Sequence, residues 1–334
     1  MKSLKWYVKR TIYSVVAWFL AITFTFALIR LSPGDPATIL FGTFRAQGYS
    51  IEDAKRMVQM YIGILPEESV WYSILKFFNN IFRGDLGISI NWRIPVTRLI
   101  GIMLPWSIFY AAWSLAWAVI VGVLLGLLMA YYRHVAILNT TLRVVFSVLR
   151  SIPAWLLAVI LHVYLAIGYR FFPPSGAYPG NVQPGLSLPF ISGVLWHYTL
   201  PVIVLVLTAF PGWALGMMSM AISVLHEDYV IYAKARGISG RRILTSYVAR
   251  NSILPIYTQI APTLATLLIG TVWIESRFVL PGVGSLLATA IGVRDYPLMI
   301  GCYVIVITAI VFGNLLTDLT YGFIDPRARI GEET

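Results

Sequence analysis

Apolar positions along the chain fall into six long runs, separated by segments where Pro, Gly and charged residues collect. The runs are Ile12 to Ile29, Leu104 to Tyr131, Val144 to Phe172, Leu200 to Leu225, Ile253 to Glu275 and Leu298 to Phe323. Each has roughly the 17–25 residues or more that a helix needs to cross the ~30 Å hydrocarbon layer. Six crossings put both ends of the chain on one side. The first run follows Lys2, Lys5, Lys9 and Arg10. That arrangement also describes a signal peptide, but the run lacks a clear small-x-small cleavage site, so it reads as an uncleaved first span. Neither a soluble repeat nor a low-complexity tract interrupts the pattern.

Between the first two runs lies a mixed segment, 31–103, that opens with Ser32-Pro33-Gly34-Asp35-Pro36. Pro fixes φ, Gly admits positive φ and Asp accepts local backbone bonds, so this opening is a turn. Helical patches follow over Ile51 to Tyr61 and Val70 to Phe82. A structureless loop of that length is uncommon, which predicts an ordered external subdomain. The expected division is 1–30 for the N-terminus and first span, 31–103 for the external subdomain, 104–323 for a five-helix core and 324–334 for a tail. Residues 133–143 read as a short basic turn and 173–197, rich in Pro and Gly, as an irregular external loop.

Composition agrees with this all-α integral membrane reading: 58% of the 334 residues are apolar and 12% charged, against roughly 25% charged in soluble domains. The net charge of +11 raises the question of nucleic acid, but the basic residues flank apolar runs, as the positive-inside rule expects. The N-terminus, 133–143, the 228–250 segment and the tail hold about 13 Lys and Arg, while 170–198 and 276–297 hold about three. The N-terminus, 228–250 and the C-terminus are therefore expected on the cytoplasmic side of the membrane. One cysteine, Cys302, excludes an internal disulfide or a Cys-based zinc cluster.

Candidate chemistry is sparse. No G-x-x-x-x-G-K-[ST] occurs, so no P-loop ATP site is expected. His134, His162, His197 and His226 are scattered; Ser175 with His162 or His197 would be needed for an intramembrane protease, and nothing in the spacing supports a triad. Glu275 and Asp318 stand out because carboxylates near a bilayer are costly. A neighbouring base explains each more simply: Arg277 for Glu275, and a basic residue at the same membrane face for Asp318. Gly122 and Gly126 have the GxxxG spacing that lets two helices approach closely. Pro153, Pro201, Pro211 and Pro262 make the third to fifth runs kinkable, which suits a moving pore wall and ordinary membrane packing alike.

The most polar segment of the second half, Asp228 to Pro255, reads as two short helices with a stop at Gly237 and a cap at Ser239. In the second helix Ile243, Leu244, Tyr247 and Val248 share one face, and Arg241, Arg242, Thr245 and Ser246 the other. Such an elbow packs on lipid headgroups or on a partner protein.

Several stretches together resemble the permease subunits of binding-protein-dependent ABC importers, in the B-type subunit of the dipeptide/oligopeptide/nickel branch. They are Ser32-Pro33-Gly34-Asp35-Pro36, Gly84-Asp85-Leu86-Gly87, Ser151-Ile152-Pro153, Leu280-Pro281-Gly282-Val283-Gly284, Arg294-Asp295-Tyr296-Pro297 and Asp325-Pro326-Arg327. The elbow is similar to the family's EAA loop, with Gly237 in place, Ile231-Tyr232-Ala233 where E-A-A is usual, and Ser252-Ile253-Leu254-Pro255 five residues later than the general spacing. The resemblance implies a type I importer permease fold of six spans in the plasma membrane of a prokaryote. It also implies a second permease, related but different, two ATPases that bind ATP on this chain's behalf, and an extracytoplasmic receptor that delivers substrate. It makes Asp228, Tyr229, Ala233, Ala235, Arg236 and Gly237 the expected ATPase-coupling residues, with membrane lipid the lesser partner of the elbow. Glu275, Pro281 and Gly282, near the outer mouth, are candidates for an external gate. Members of such families carry peptides, nickel chelates or oligosaccharides. A secondary transporter or channel is the alternative from another class; inverted repeats and buried ionisable relays would mark it, and neither is evident.

Overall fold

The computed structural model describes residues 2–31 and 35–324. Pro33-Gly34 and Asp325-Pro326-Arg327 therefore lie outside the described residues. All named elements are helical: α1 (Lys2–Leu31), α2 (Pro36–Ala46), α3 (Ile51–Ile62), α4 (Val70–Phe82), α5 (Val96–Tyr131), α6 (Ala136–Ser151), α7 (Ala154–Leu161, continued by a π-helical stretch His162–Gly168), α8 (Leu188–Val224), α9 (Asp228–Ala235), α10 (Gly240–Arg242), α11 (Ala249–Ser252), α12 (Leu254–Gly270), α13 (Val272–Phe278), α14 (Val283–Val293) and α15 (Tyr296–Ile324). Four of them carry stretches long and apolar enough to cross a bilayer: Trp6–Leu31, Val96–Tyr131, Leu188–Val224 and Tyr296–Thr320. The third expected span is the pair α6 and α7, bent by 91° where Pro153 forbids helical backbone at Ile152, whose ψ is 122°. The fifth is α12.

The chain divides into two compact units. The first holds Met1–Ser107, Leu268–Val272 and Pro281–Thr334. In it α1 exposes Ile12, Val16, Leu20, Phe24 and Leu28, one apolar stripe at every fourth position suited to lipid, and buries Ile22 and Phe26 on the other face. The buried face meets α15, where the Trp18 indole donates to Thr308 Oγ1 at 2.8 Å, and α4, where Phe26 stacks on Phe77 at 4.6 Å. Residues 36–82 fold as α2, α3 and α4 over this pair, each helix started by a side-chain cap: Asp35 accepts from the Thr38 N–H at 3.1 Å, Ser50 from the Asp53 N–H at 3.0 Å and Ser69 from the Tyr72 N–H at 3.4 Å. Buried Arg30 pairs with Asp35 and donates to the carbonyls of Leu65, Pro66 and Glu68. One guanidinium thereby ties the end of α1 to the α3–α4 connection.

The second unit holds Ile108–Leu267 and Trp273–Leu280. Its axis is α8, 37 residues with Pro201 and Pro211 inside. Helix α5 lies against α8 at Gly122 and Gly126. A Cβ on Gly126 would stand 2.7 Å from the Met217 Cβ, and one on Gly122 2.9 Å from the Phe210 carbonyl oxygen, so the predicted close approach is a contact of backbone on backbone. Phe146 of α6 meets Phe210 of α8 edge to face at 5.2 Å.

Several expected boundaries shift. Helix α5 begins at Val96, eight residues before the apolar run, because Val96, Leu99 and Ile100 are buried while Thr97 and Arg98 face out. The basic turn 133–143 shrinks to 132–135, with Asn139 Nδ2 donating to the Tyr132 carbonyl at 2.7 Å. The external loop stops at Ser187, since α8 starts at Leu188 with Pro189 in its first turn, where a missing N–H costs nothing.

Candidate functional site

The elbow follows directly from α8. Asp228 stands in the first turn of α9 and Lys234 in the last, each complementing the helix dipole at its end. Gly237 at φ +73° stops the helix: its N–H bonds the Lys234 carbonyl at 2.9 Å and the Ile238 N–H reaches back to the Ala233 carbonyl at 3.2 Å. This is a Schellman closure, which needs the left-handed residue that glycine supplies without strain. Ser239 takes the extended backbone of a cap but makes no side-chain bond, so the second helix lacks the predicted side-chain cap. That helix runs through a π-helical stretch, Ile243–Val248, yet its faces fall as the periodicity predicts. Ile243 and Val248 are buried, Leu244 and Tyr247 half-buried, and Arg241, Arg242, Thr245 and Ser246 exposed.

Two contacts hold α9 to the rest of the second unit, and a third ties the two arms of the elbow together. Val230 and Ala233 are buried in the core formed by α5, α6 and α8. The Lys234 ammonium donates to the Leu225 carbonyl at the end of α8, 3.2 Å away, and Asn251 Nδ2 donates to the Tyr229 hydroxyl at 2.7 Å and to the Tyr247 carbonyl at 3.0 Å. Of the expected coupling residues, Asp228, Ala235, Arg236 and Gly237 are exposed, and Tyr229 is exposed but tied to Asn251. Ala233 faces inward, at 4% exposure. The outward face carries instead two large apolar side chains, Ile231 at 52% and Tyr232 at 72% exposure. They occupy the positions where the motif departs from E-A-A, and that departure was the signal for them.

Glu275 belongs to the second unit and is buried at 1% exposure, close enough to buried Tyr110 and Tyr198 to act on both electrostatically. Arg277, two residues on, is exposed. The Leu280 N–H closes the turn after α13 on the Glu275 carbonyl at 2.8 Å, and the Gly176 N–H bonds the Phe278 carbonyl at 2.9 Å. Pro281 and Gly282 belong to the first unit, at the start of α14. There the Val283 N–H donates to Ser107 Oγ at 2.8 Å, and Gly282 is extended at φ 173°. Asp318 does find a base: Arg10, at 3.5 Å.

Also in the first unit, Asp295 is fully buried at the start of α15. It accepts from Ser89 Oγ at 2.5 Å, from the Asn91 N–H at 3.0 Å and from the Leu298 N–H at 3.3 Å. This carboxylate links the loop before α5 to the last span. No group of three or more metal-ligating side chains occurs among the described residues.

The described residues form an all-α membrane protein with four to six candidate spans. The family described as "Binding-protein-dependent transport system inner membrane component" matches residues 122–330, and the chain belongs to this family. It is similar to the "Dipeptide transport system permease protein DppB" of Haemophilus influenzae, 32% identical over 97% of this chain and 99% of the relative. The protein of the same name from Escherichia coli (strain K12) is 29% identical, over 97% and 98%. The "Oligopeptide transport system permease protein AppB" of Bacillus subtilis is 28% identical, over 96% and 98%.

Proposed function

We propose that this chain is one half of the membrane pathway of an ATP-driven, binding-protein-dependent peptide importer, and that its elbow receives the motion of an ATPase subunit. The observation that carries the coupling role is the two-sidedness of α9. Val230 and Ala233 anchor it, Gly237 closes it, and Ile231, Tyr232, Ala235 and Arg236 are left facing outward. Exposed aromatic and aliphatic side chains beside an arginine are the composition of an interface hot spot. Ala233 accordingly positions the helix, and contact falls to its outward neighbours. Peptides are the substrate class of the relatives by their names, and near full-length similarity supports the same class here. A second, related permease completes the pathway, two partner chains bind ATP, and an external receptor delivers the peptide. Both termini and the elbow then face the cytoplasm, as the charge asymmetry indicates.

In reconstituted vesicles, Gly237→Val combined with Arg236→Glu should uncouple ATP hydrolysis from uptake while leaving insertion intact; normal transport by that variant overturns the coupling role. Glu275, Pro281 and Gly282 are proposed as an outer gate. Buried acid near the membrane is costly enough to suggest a task, and a triple substitution that left transport and resting ATPase rate unchanged would remove this assignment.

A further inference from the structure

Within the second unit, α6, α8 and α12 enclose an open cleft of about 540 Å³. That volume is in the ~300–1,000 Å³ range of small-molecule sites. Its wall is unlike the lipid-facing surfaces of the same chain. Arg150, Thr208, Gly212, Ser219, Gln259 and Thr263 line it. Gly212, against which Arg150 lies, is about 9 Å from the midpoint of α8 at 1.5 Å per residue, and α8 is one of the helices long and apolar enough to cross a bilayer.

A guanidinium at that depth requires a partner or a water-filled cavity. Arg150 is exposed to the cleft and makes no ion pair or hydrogen bond with another described residue. Its guanidinium lies along α8: a Cβ on Gly212 would stand 3.6 Å from Arg150 Nε, an ordinary contact distance. The hydroxyls of Thr208, Ser219 and Thr263 spend their protons on their own helices, on the carbonyls of Val204, Leu215 and Gln259. They therefore present lone pairs to the cleft. Gln259 has a carboxamide that can donate and accept. One fixed cation, hydroxyl acceptors and an amide suit a small polar solute with a carboxylate at one end.

We propose that this cleft is a substrate station in the membrane-embedded part of the chain, where Arg150 takes the terminal carboxylate of a peptide and Gln259 its adjoining amide. The choice of a peptide rests on the function proposed above; the carboxylate site does not. A planar guanidinium matches a carboxylate in two parallel bonds, which a lysine cannot reproduce.

The test is calorimetric titration of the assembled permease–ATPase complex, without its receptor, with trialanine, trialanine amide, succinate and succinamide. Trialanine uptake by the complete importer in proteoliposomes is measured alongside. The wild type should bind each acid about 10- to 100-fold more tightly than its amide, the range of a charged hydrogen-bonded contact. Arg150→Gln should abolish that difference and leave the amides unchanged, and Arg150→Lys should keep a smaller preference. No acid preference in the wild type, or one that survives Arg150→Gln, overturns the proposal. So does equal weakening of acid and amide, the signature of Arg150 pairing with a carboxylate of the companion permease. If Arg150→Gln fails to assemble, Arg150→Lys decides, and a preference equal to that of the wild type overturns the site. Should the wild type take up no trialanine while succinate still depends on Arg150, the carboxylate site stands and the peptide reading falls; trialanine uptake with no acid preference gives the reverse.

Discussion

Replacing Gly126 by alanine puts a number on the contact around which the second unit is built. The added Cβ would stand 2.7 Å from the Met217 Cβ and 3.0 Å from the Met218 nitrogen, and closer still to the Ala214 carbonyl oxygen. Carbon and oxygen normally approach to about 3.3–3.6 Å, so α5 and α8 must separate by roughly 1 Å. Backbone cannot rotate out of the way as a side chain would, and overpacking of this kind costs about 1–3 kcal/mol. At roughly 2–4 °C per kcal/mol for a chain of this size, the midpoint in fluorescence-detected thermal unfolding of the detergent-purified chain should fall by about 2–12 °C. Gly122→Ala meets Trp213 and the Phe210 carbonyl in the same seam, so one separation relieves both and the double variant should lose less than the two singles together. Gly101→Ala is the control on the same helix, because nothing stands within 4 Å of a Cβ there. A Gly126→Ala midpoint matching that of Gly101→Ala would refute the close-approach argument.

Three further substitutions probe the first unit. Asp295→Ala strands the Ser89 hydroxyl and the N–H groups of Asn91 and Leu298, a loss of about 2–4 kcal/mol, and should speed limited proteolysis between 83 and 95; Asp295→Asn should do so less. Arg30→Ala leaves the Asp35 carboxylate and the carbonyls of Leu65, Pro66 and Glu68 without their donor, which should make the 63–69 connection the first protease site. Asp318→Asn breaks a 3.5 Å pair with Arg10 whose side chains are each 39% exposed; such pairs contribute about 0–1 kcal/mol, so its melting midpoint should stay within about 4 °C of wild type.

Apolar runs located the spans because each exceeds what a soluble core strand or helix needs, and the elbow's faces were legible because their period survives even a π-helical stretch. The starts of α5 and α8 were not legible. At Val96–Ile100 a polar residue is as helical as an apolar one when it faces out, and run length cannot register that. Pro and Gly before Leu200 suggested irregular chain, yet Gly193 is there for packing: a Cβ on it would fall 2.5 Å from Pro179 Cδ. Motif likeness located Ala233 but could not orient it, since a small residue fits an interface and a core equally well. Arg150 attracted no attention in the sequence because it lies near the edge of an apolar run, where a basic residue passes for an interfacial flank. Only the packing of α6 along α8 places it in the cleft beside Gly212.

Helix α8 is 37 residues long, about 55 Å at 1.5 Å per residue, nearly twice the hydrocarbon thickness, and the Lys234–Leu225 contact fastens the elbow to its end. A rod of that length is a lever: a tilt of about 10° about one end sweeps the other through about 10 Å. Side-chain rearrangement in a packed core moves groups far less. Stiffness along α8, more than any single contact on it, therefore sets how far a push at one membrane face is felt at the other, and Pro201 and Pro211 are the two places where that stiffness is lowest.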